Sequence, residues 1–202
     1  MMLLMGGCAS TGEFDETGGI TAIRSACPAV GIAAATGDIT LFDPPASREA
    51  AAIDVVADMT NVRGSCSDAT DDIVTTVNFE IRARRTNTAA PRDVDFPYFI
   101  SVVRGGTAVV AKRVGHVVVH FNAGQDRASA TGQATSTIAR AAATLSPEVR
   151  KKLTEKRKAG GQDAAVDPLS RPDIRQAVLR ATFEALVGFQ LTDDQLKYNA
   201  TR

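Results

Sequence analysis

Apolar and polar positions alternate with a period of two along much of this chain. Ile53, Val55, Ala57 and Met59 alternate with Asp54, Val56, Asp58 and Thr60, the spacing of a half-buried strand. That run heads toward Arg63-Gly64-Ser65-Cys66. The clearest example is Asp72 to Arg84. Ile73, Thr75, Val77, Phe79, Ile81 and Ala83 fall on one face, and Val74, Thr76, Asn78, Glu80, Arg82 and Arg84 on the other. Successive strand side chains point to opposite faces, so one face is expected in the core and the other in water.

Shorter runs flank these two. Ala29 to Ala35 and Asp38 to Phe42 read as strands around a Thr36-Gly37 turn, and Asp43-Pro44-Pro45 ends the second. Ser47 to Ala52 is an Ala-rich connector, and Thr86 to Asp95 a polar loop leading to Phe96-Pro97. Tyr98 to Arg104 and Thr107 to Arg113 surround Gly105-Gly106, a strong hairpin signal. Val114 to Phe121 reads as a further strand, turned by Asn122-Ala123-Gly124, and Ala128 to Ala139 as an edge strand.

From Ser146 the period changes. Ser146-Pro147-Glu148 supplies an N-cap, a proline at the first helical position and an acid in the first turn. Gly160-Gly161 is the expected stop. Only Val149 and Leu153 form an apolar stripe here, against Arg150, Lys151, Lys152, Lys156, Arg157 and Lys158. Such a helix buries little and belongs on the surface. After a loop over 162–169, Ser170-Arg171-Pro172-Asp173 caps a second helix carrying Ile174, Ala177, Val178 and Ala181. The period returns to two at Phe183, Ala185, Val187, Phe189 and Leu191. Thr192-Asp193-Asp194-Gln195 then has capping-box spacing for a last helix through Tyr198. These elements predict a mainly β fold. The expected architecture is a single antiparallel β-sandwich, Ig-like or similar, over 27–202, with a helical insertion at 146–181 and two or three helices near the C-terminus. A small barrel is the alternative.

A length of 202 residues suits one domain. With no Trp, 2 Tyr and 8 Phe, the core must rest on Val, Ile, Leu and Ala. The net charge is zero, yet residues 1–81 hold 12 acids and 3 bases while 82–202 hold 11 acids and 20 bases. Two readings follow: complementary halves that mix within one sheet protein, or a basic face turned to a partner or to anionic lipid.

The N-terminal stretch Met1-Met2-Leu3-Leu4-Met5-Gly6-Gly7-Cys8-Ala9-Ser10 is a short apolar run, two glycines and a cysteine. It resembles the end of a bacterial lipoprotein signal peptide, whose cysteine is acylated and becomes the first mature residue. Residues 1–7 would then be residual signal peptide and 8–26 a lipidated, flexible tether. Met1 to Met5 is shorter than an h-region of roughly 7–15 residues, and no base precedes it, so the start is expected upstream. Met5 departs from the Leu usual at its position in the family. Ala9 is not the Asp of the inner-membrane retention signal, which implies the outer membrane, with the domain facing the periplasm. Several acyl chains, at about 0.8 kcal/mol per buried CH₂, would make attachment effectively permanent.

The C-terminal run Val187-Gly188-Phe189-Gln190-Leu191-Thr192-Asp193-Asp194-Gln195-Leu196-Lys197-Tyr198-Asn199 resembles the closing signature of a family of proteobacterial outer-membrane lipoproteins of uncharacterised activity. Pro97-Tyr98-Phe99, Ala111-Lys112-Arg113 and the positions of Cys27 and Cys66 are similar too. The segment 146–173 is longer than that pattern. The resemblance implies an address and no mechanism. With Cys8 as the lipid site, Cys27 and Cys66 remain as a pair for an oxidising compartment.

Candidate chemistry is sparse. His116 and His120 lie four apart on a strand, roughly 13 Å from each other, too far to share a metal ion, and read as solvent-facing. Asp71-Asp72 and Asp193-Asp194 are adjacent carboxylates that point apart on a strand or face a helix dipole. No G-x-S-x-G, H-E-x-x-H or Walker loop occurs. No catalytic, metal or cofactor residue is therefore assigned, and no cofactor is expected. The expected partners are a membrane, reached through the lipid anchor, and an envelope protein; an exported chain is not expected to bind nucleic acid. The basic helix, with Arg150, Lys151, Lys152, Lys156, Arg157 and Lys158, is the candidate interaction surface. A non-catalytic partner-binding or structural lipoprotein is the first expectation. A small-ligand or glycan-binding lipoprotein is the second, and an envelope hydrolase the least favoured.

Overall fold

A computed structural model describes residues 25–155 and 166–201. Eight strands dominate: β1 (Ala29–Ile32), β2 (Asp38–Phe42), β3 (Ile53–Ser67), β4 (Asp72–Arg85), β5 (Arg92–Arg104), β6 (Ala108–Phe121), β7 (Arg127–Ala139) and β8 (Phe183–Phe189). The helical pieces are α1 (Arg140–Ala143), α2 (Pro147–Thr154), α3 (Pro172–Arg180) and α4 (Asp193–Thr201). The strands form two four-stranded sheets, ordered β1-β8-β5-β6 and β2-β3-β4-β7. All pairings are antiparallel except β1 with β8, which is parallel. The fold is a β-sandwich, as the alternation predicts.

Both sheets turn their alternating apolar positions inward. Val55, Ala57 and Met59 of β3, Val77, Phe79 and Ile81 of β4, and Val117, Val119 and Phe121 of β6 meet in one large core. Phe96 of β5 and Phe189 of β8 pack there with ring centroids 5.8 Å apart. A smaller cluster of Ile73, Val102, Ile138, Ala143 and Phe183 fills one end. Between the two lie Thr75 and Ser136, buried and directly paired across β4 and β7. Among the described residues neither hydroxyl has a hydrogen-bond partner.

Several boundaries differ from the sequence reading, for local reasons. The strand expected to begin at Tyr98 begins at Arg92, inside the expected loop. Its first half alternates too, Asp93 and Asp95 outside against buried Val94 and Phe96. Pro97 is tolerated within it because β8 pairing ends at Phe189, opposite Tyr98, so the missing N–H falls where the ladder stops. The Pro97 carbonyl still accepts from the Gln190 N–H at 2.8 Å. The runs 107–113 and 114–121 are one continuous strand, β6. Gly105 and Gly106, at φ 64° and 78°, make the β5–β6 turn with a backbone that side-chain-bearing residues rarely adopt.

Elsewhere β1 stops at Ile32 rather than Ala35, and it lies in the other sheet from β2. The turn between them crosses the sandwich, with Ala35 at φ 59°. Helix α2 ends at Thr154, where Glu155 is already extended, and not at Gly160. The second cap shifts as well. Ser170 closes a 3-10 turn at Pro168–Ser170, and Arg171 occupies the N-cap of α3 without a side-chain cap bond. Helix α1 has no counterpart in the sequence reading. Ala26, assigned to the tether, already packs against the smaller cluster.

The last helix is capped as expected. The Thr192 N–H donates to Gln195 Oε1 at 2.9 Å, and the Gln195 N–H to Thr192 Oγ1 at 3.3 Å, the reciprocal bonds of a capping box. Helix α4 docks on β2 through Tyr198, whose ring meets that of Phe42 edge-on at 5.3 Å. Asn199 Nδ2 donates to the Ala35 carbonyl at 3.0 Å and the Asp38 carbonyl at 2.8 Å.

Candidate functional site

Cys27 and Cys66 form a disulfide with their Cα atoms 6.1 Å apart. Cys27 precedes β1, at the edge of one sheet, and Cys66 lies near the end of β3 in the other. The bridge therefore ties the two sheets together. Beside it a Cβ on Gly64 would lie 2.5 Å from Val30 Cγ2, so β1 can sit against β3 only because residue 64 has no side chain. Cys8 lies outside the described residues.

The basic cluster is partly described. Arg150, Lys151 and Lys152 are exposed on α2, and Val149 and Leu153 are half-buried. The Ser146 hydroxyl accepts from the Val149 N–H, as its N-cap role requires. Lys152 reaches the Asp173 carboxylate at 3.6 Å, a group that Arg171 also contacts. Those two cations, with the Ile174 amide, hold the Asp173 carboxyl below its usual range against a desolvation that would raise it. Arg150 and Lys151 thus remain the outward charges of this turn. Lys156, Arg157 and Lys158 lie outside the described residues.

His116 and His120 are exposed, as expected, but each has a carboxylate neighbour that the sequence reading missed. His120 Nδ1 lies 2.5 Å from Asp93 Oδ1, and His116 Nδ1 lies 2.8 Å from Asp95 Oδ2. Asp93 and His120 face each other directly across β5 and β6. The Asp93 hydrogen bond raises the His120 pKa above its ordinary value. The overlooked signal was the alternation Asp93-Val94-Asp95-Phe96. Among the described residues no group of three His, Cys, Asp or Glu side chains is placed to hold a metal ion.

Two further surfaces stand out. On the outer face of β3, β4 and β7 an open trough is lined by Asp58, Glu80, Arg82, Arg84, Arg127 and Ser129. Arg84 and Arg127 are directly opposed there, while Arg82 donates to Glu80 at 3.0 Å. On the other sheet, edge strand β6 carries Val109, Val110, Val114 and Val118 in the open. Asp71 and Asp72 are exposed at the start of β4, and Asp193 and Asp194 occupy the first turn of α4.

Inside, Arg85 is buried, with no carboxylate partner among the described residues. It donates to the carbonyls of Gln125, Ala90 and Asn122 at 2.9, 2.7 and 2.8 Å and lies over the Phe121 ring. It knits the 86–91 and 122–126 loops to the end of β4. Its position as the last residue of a strand, beside an outward Arg84, follows the inward parity of Ile81 and Ala83. Among the described residues no helix is long and apolar enough to cross a membrane. Comparison with protein-family models, with curated proteins and with solved structures finds no match.

Proposed function

We propose that this chain is a lipid-anchored protein of the bacterial cell envelope. In this reading Cys8 is acylated in the outer membrane and the β-sandwich faces the periplasm as a non-catalytic partner-binding module. The Cys27–Cys66 bridge carries the reading, because stable disulfides belong to oxidising compartments. The Gly6-Gly7-Cys8-Ala9 junction supports the anchor. Arg150 and Lys151, exposed on α2, offer a surface for anionic headgroups or an acidic partner, each close base contributing about 1 kcal/mol.

The test is membrane fractionation of the full-length protein expressed in a bacterial host. The wild type is expected in the outer-membrane fraction and Cys8→Ser in the soluble periplasm. Retention of Cys8→Ser in the membrane would remove the anchor from the proposal. Both thiols free after cytosolic-type isolation under alkylation would remove the compartment.

A further inference from the structure

Strand β6 is the outer strand of its sheet, paired with β5 on one side. From Val117 onward its residues alternate between buried and exposed, as in a sandwich wall. From Ala108 to Val114 every residue is exposed, so neither face of this half is covered. Val109 is 62% exposed and Val114 54%. Among the described residues no strand pairs with its free side. Seven successive residues thus present an apolar strand edge with a row of backbone donors and acceptors, a template for another strand.

Charge selects the occupant. Lys112 and Arg113 sit at the centre of this edge, and Arg104 is exposed opposite Ala108. The Lys112 ammonium lies over the Phe99 ring at 4.6 Å, on the outer face. A second copy pairing antiparallel along this edge would bring like charges together, which is unfavourable. The register irregularity around Val110 further discourages self-pairing, as bulges and edge lysines do. An acidic strand escapes the charge repulsion and is attracted instead.

We infer that residues 108–114 are a strand-addition site for an extended segment of a partner protein. That segment would alternate acidic residues, on the face of Lys112, with apolar residues, on the face of Ala111. The inference names a surface separate from the basic helix and does not depend on the anchor.

The experiment uses the full chain carrying Cys8→Ser, so that lipid does not enter the readout. The probe is a fluorescein-labelled, proline-flanked peptide of about eight residues alternating valine and glutamate, and the control has lysine for glutamate. Saturable binding of the glutamate peptide is expected, falling about tenfold or more for the lysine peptide and for the Lys112→Glu/Arg113→Glu chain, and weakening with salt. Alternate amides within 108–114 should gain about tenfold or greater protection from hydrogen exchange on binding. This second readout needs no variant. Four results would overturn the inference: no saturable binding at millimolar peptide, equal affinity for both peptides, protection elsewhere, or a dimer whose edge amides are already protected.

Discussion

The ring of Tyr98 lies across Gly115 on the neighbouring strand. A Cβ at Gly115 would come within 2.6 Å of the Tyr98 ring and hydroxyl. Past that gap the Tyr98 hydroxyl reaches β7 and donates to the Gln133 carbonyl at 2.7 Å. The same ring meets Phe79 edge-on at 4.9 Å. One absent methyl thus lets a tyrosine span from one sheet to the edge of the other.

Gly115→Ala should therefore displace the ring, breaking its bond to Gln133 and its contact with Phe79. Overpacking of this kind costs about 1–3 kcal/mol. Urea unfolding should show a lower midpoint, and Tyr98→Phe in the Gly115→Ala background should add little further loss. Full additivity of the two changes would refute the coupling.

Arg85 holds two loops through three carbonyls. Arg85→Met should keep the packing over Phe121 but leave those acceptors unpaired. About 2–3 kcal/mol of stability should go, and the 86–91 and 122–126 amides should exchange faster than the strand centres. Arg85→Lys should recover little, since one ammonium cannot reproduce a planar five-donor group.

Thr75 places a buried hydroxyl beside that of Ser136, neither with a partner among the described residues. Thr75→Val removes one such hydroxyl at nearly constant volume. The expected result is a gain of about 1 kcal/mol, read as a higher unfolding midpoint. A loss of similar size would mean that the hydroxyl is satisfied in solution.

Removing the disulfide frees a loop with a sequence separation of 39, worth about 4 kcal/mol on the chain-entropy model. Cys27→Ser/Cys66→Ser should lower stability by that order, and reductant should shift the wild type but not the double variant. A wild type indifferent to full reduction would contradict this.

The Asp93 hydrogen bond raises the His120 pKa above its unfolded value of about 6.5. A raised pKa stabilises the folded state below the unfolded value, and that contribution fades as pH rises through the folded one. Because both groups are exposed, the readout is the imidazole titration by NMR. Asp93→Asn should return it to the ordinary range.

Much of this fold is legible in the alternation itself. The Ile73-to-Ala83 face is the core face, the Gly105-Gly106 turn is a hairpin, and Thr192 and Gln195 bond each other as their spacing says. These are local relations, set by side-chain parity or by atoms three residues apart. What escaped the sequence depends on neighbours distant in the chain. Asp93 reads as loop until His120 stands opposite, and the parallel β1–β8 pair joins segments from the two ends of the domain. Val109 and Val114 look like ordinary core valines, since only the fold reveals that β6 is an edge strand exposed from Ala108 to Val114. Cys8 and the 156–158 bases lie outside the described residues, and the proposal for them rests on their sequence.

The bridge at Cys27 also decides how the domain carries load. Strand β1 is four residues long and, among the described residues, pairs with β8 alone, so by itself it would be a weak grip for a pull arriving through the residues ahead of it. Cys27 stands before that strand, and its bond leads into the far end of β3, a fifteen-residue strand paired with β4 there and with β2 nearer its start. Tension entering the domain from that side passes through a covalent link into this long strand, and the short β1 ladder is bypassed.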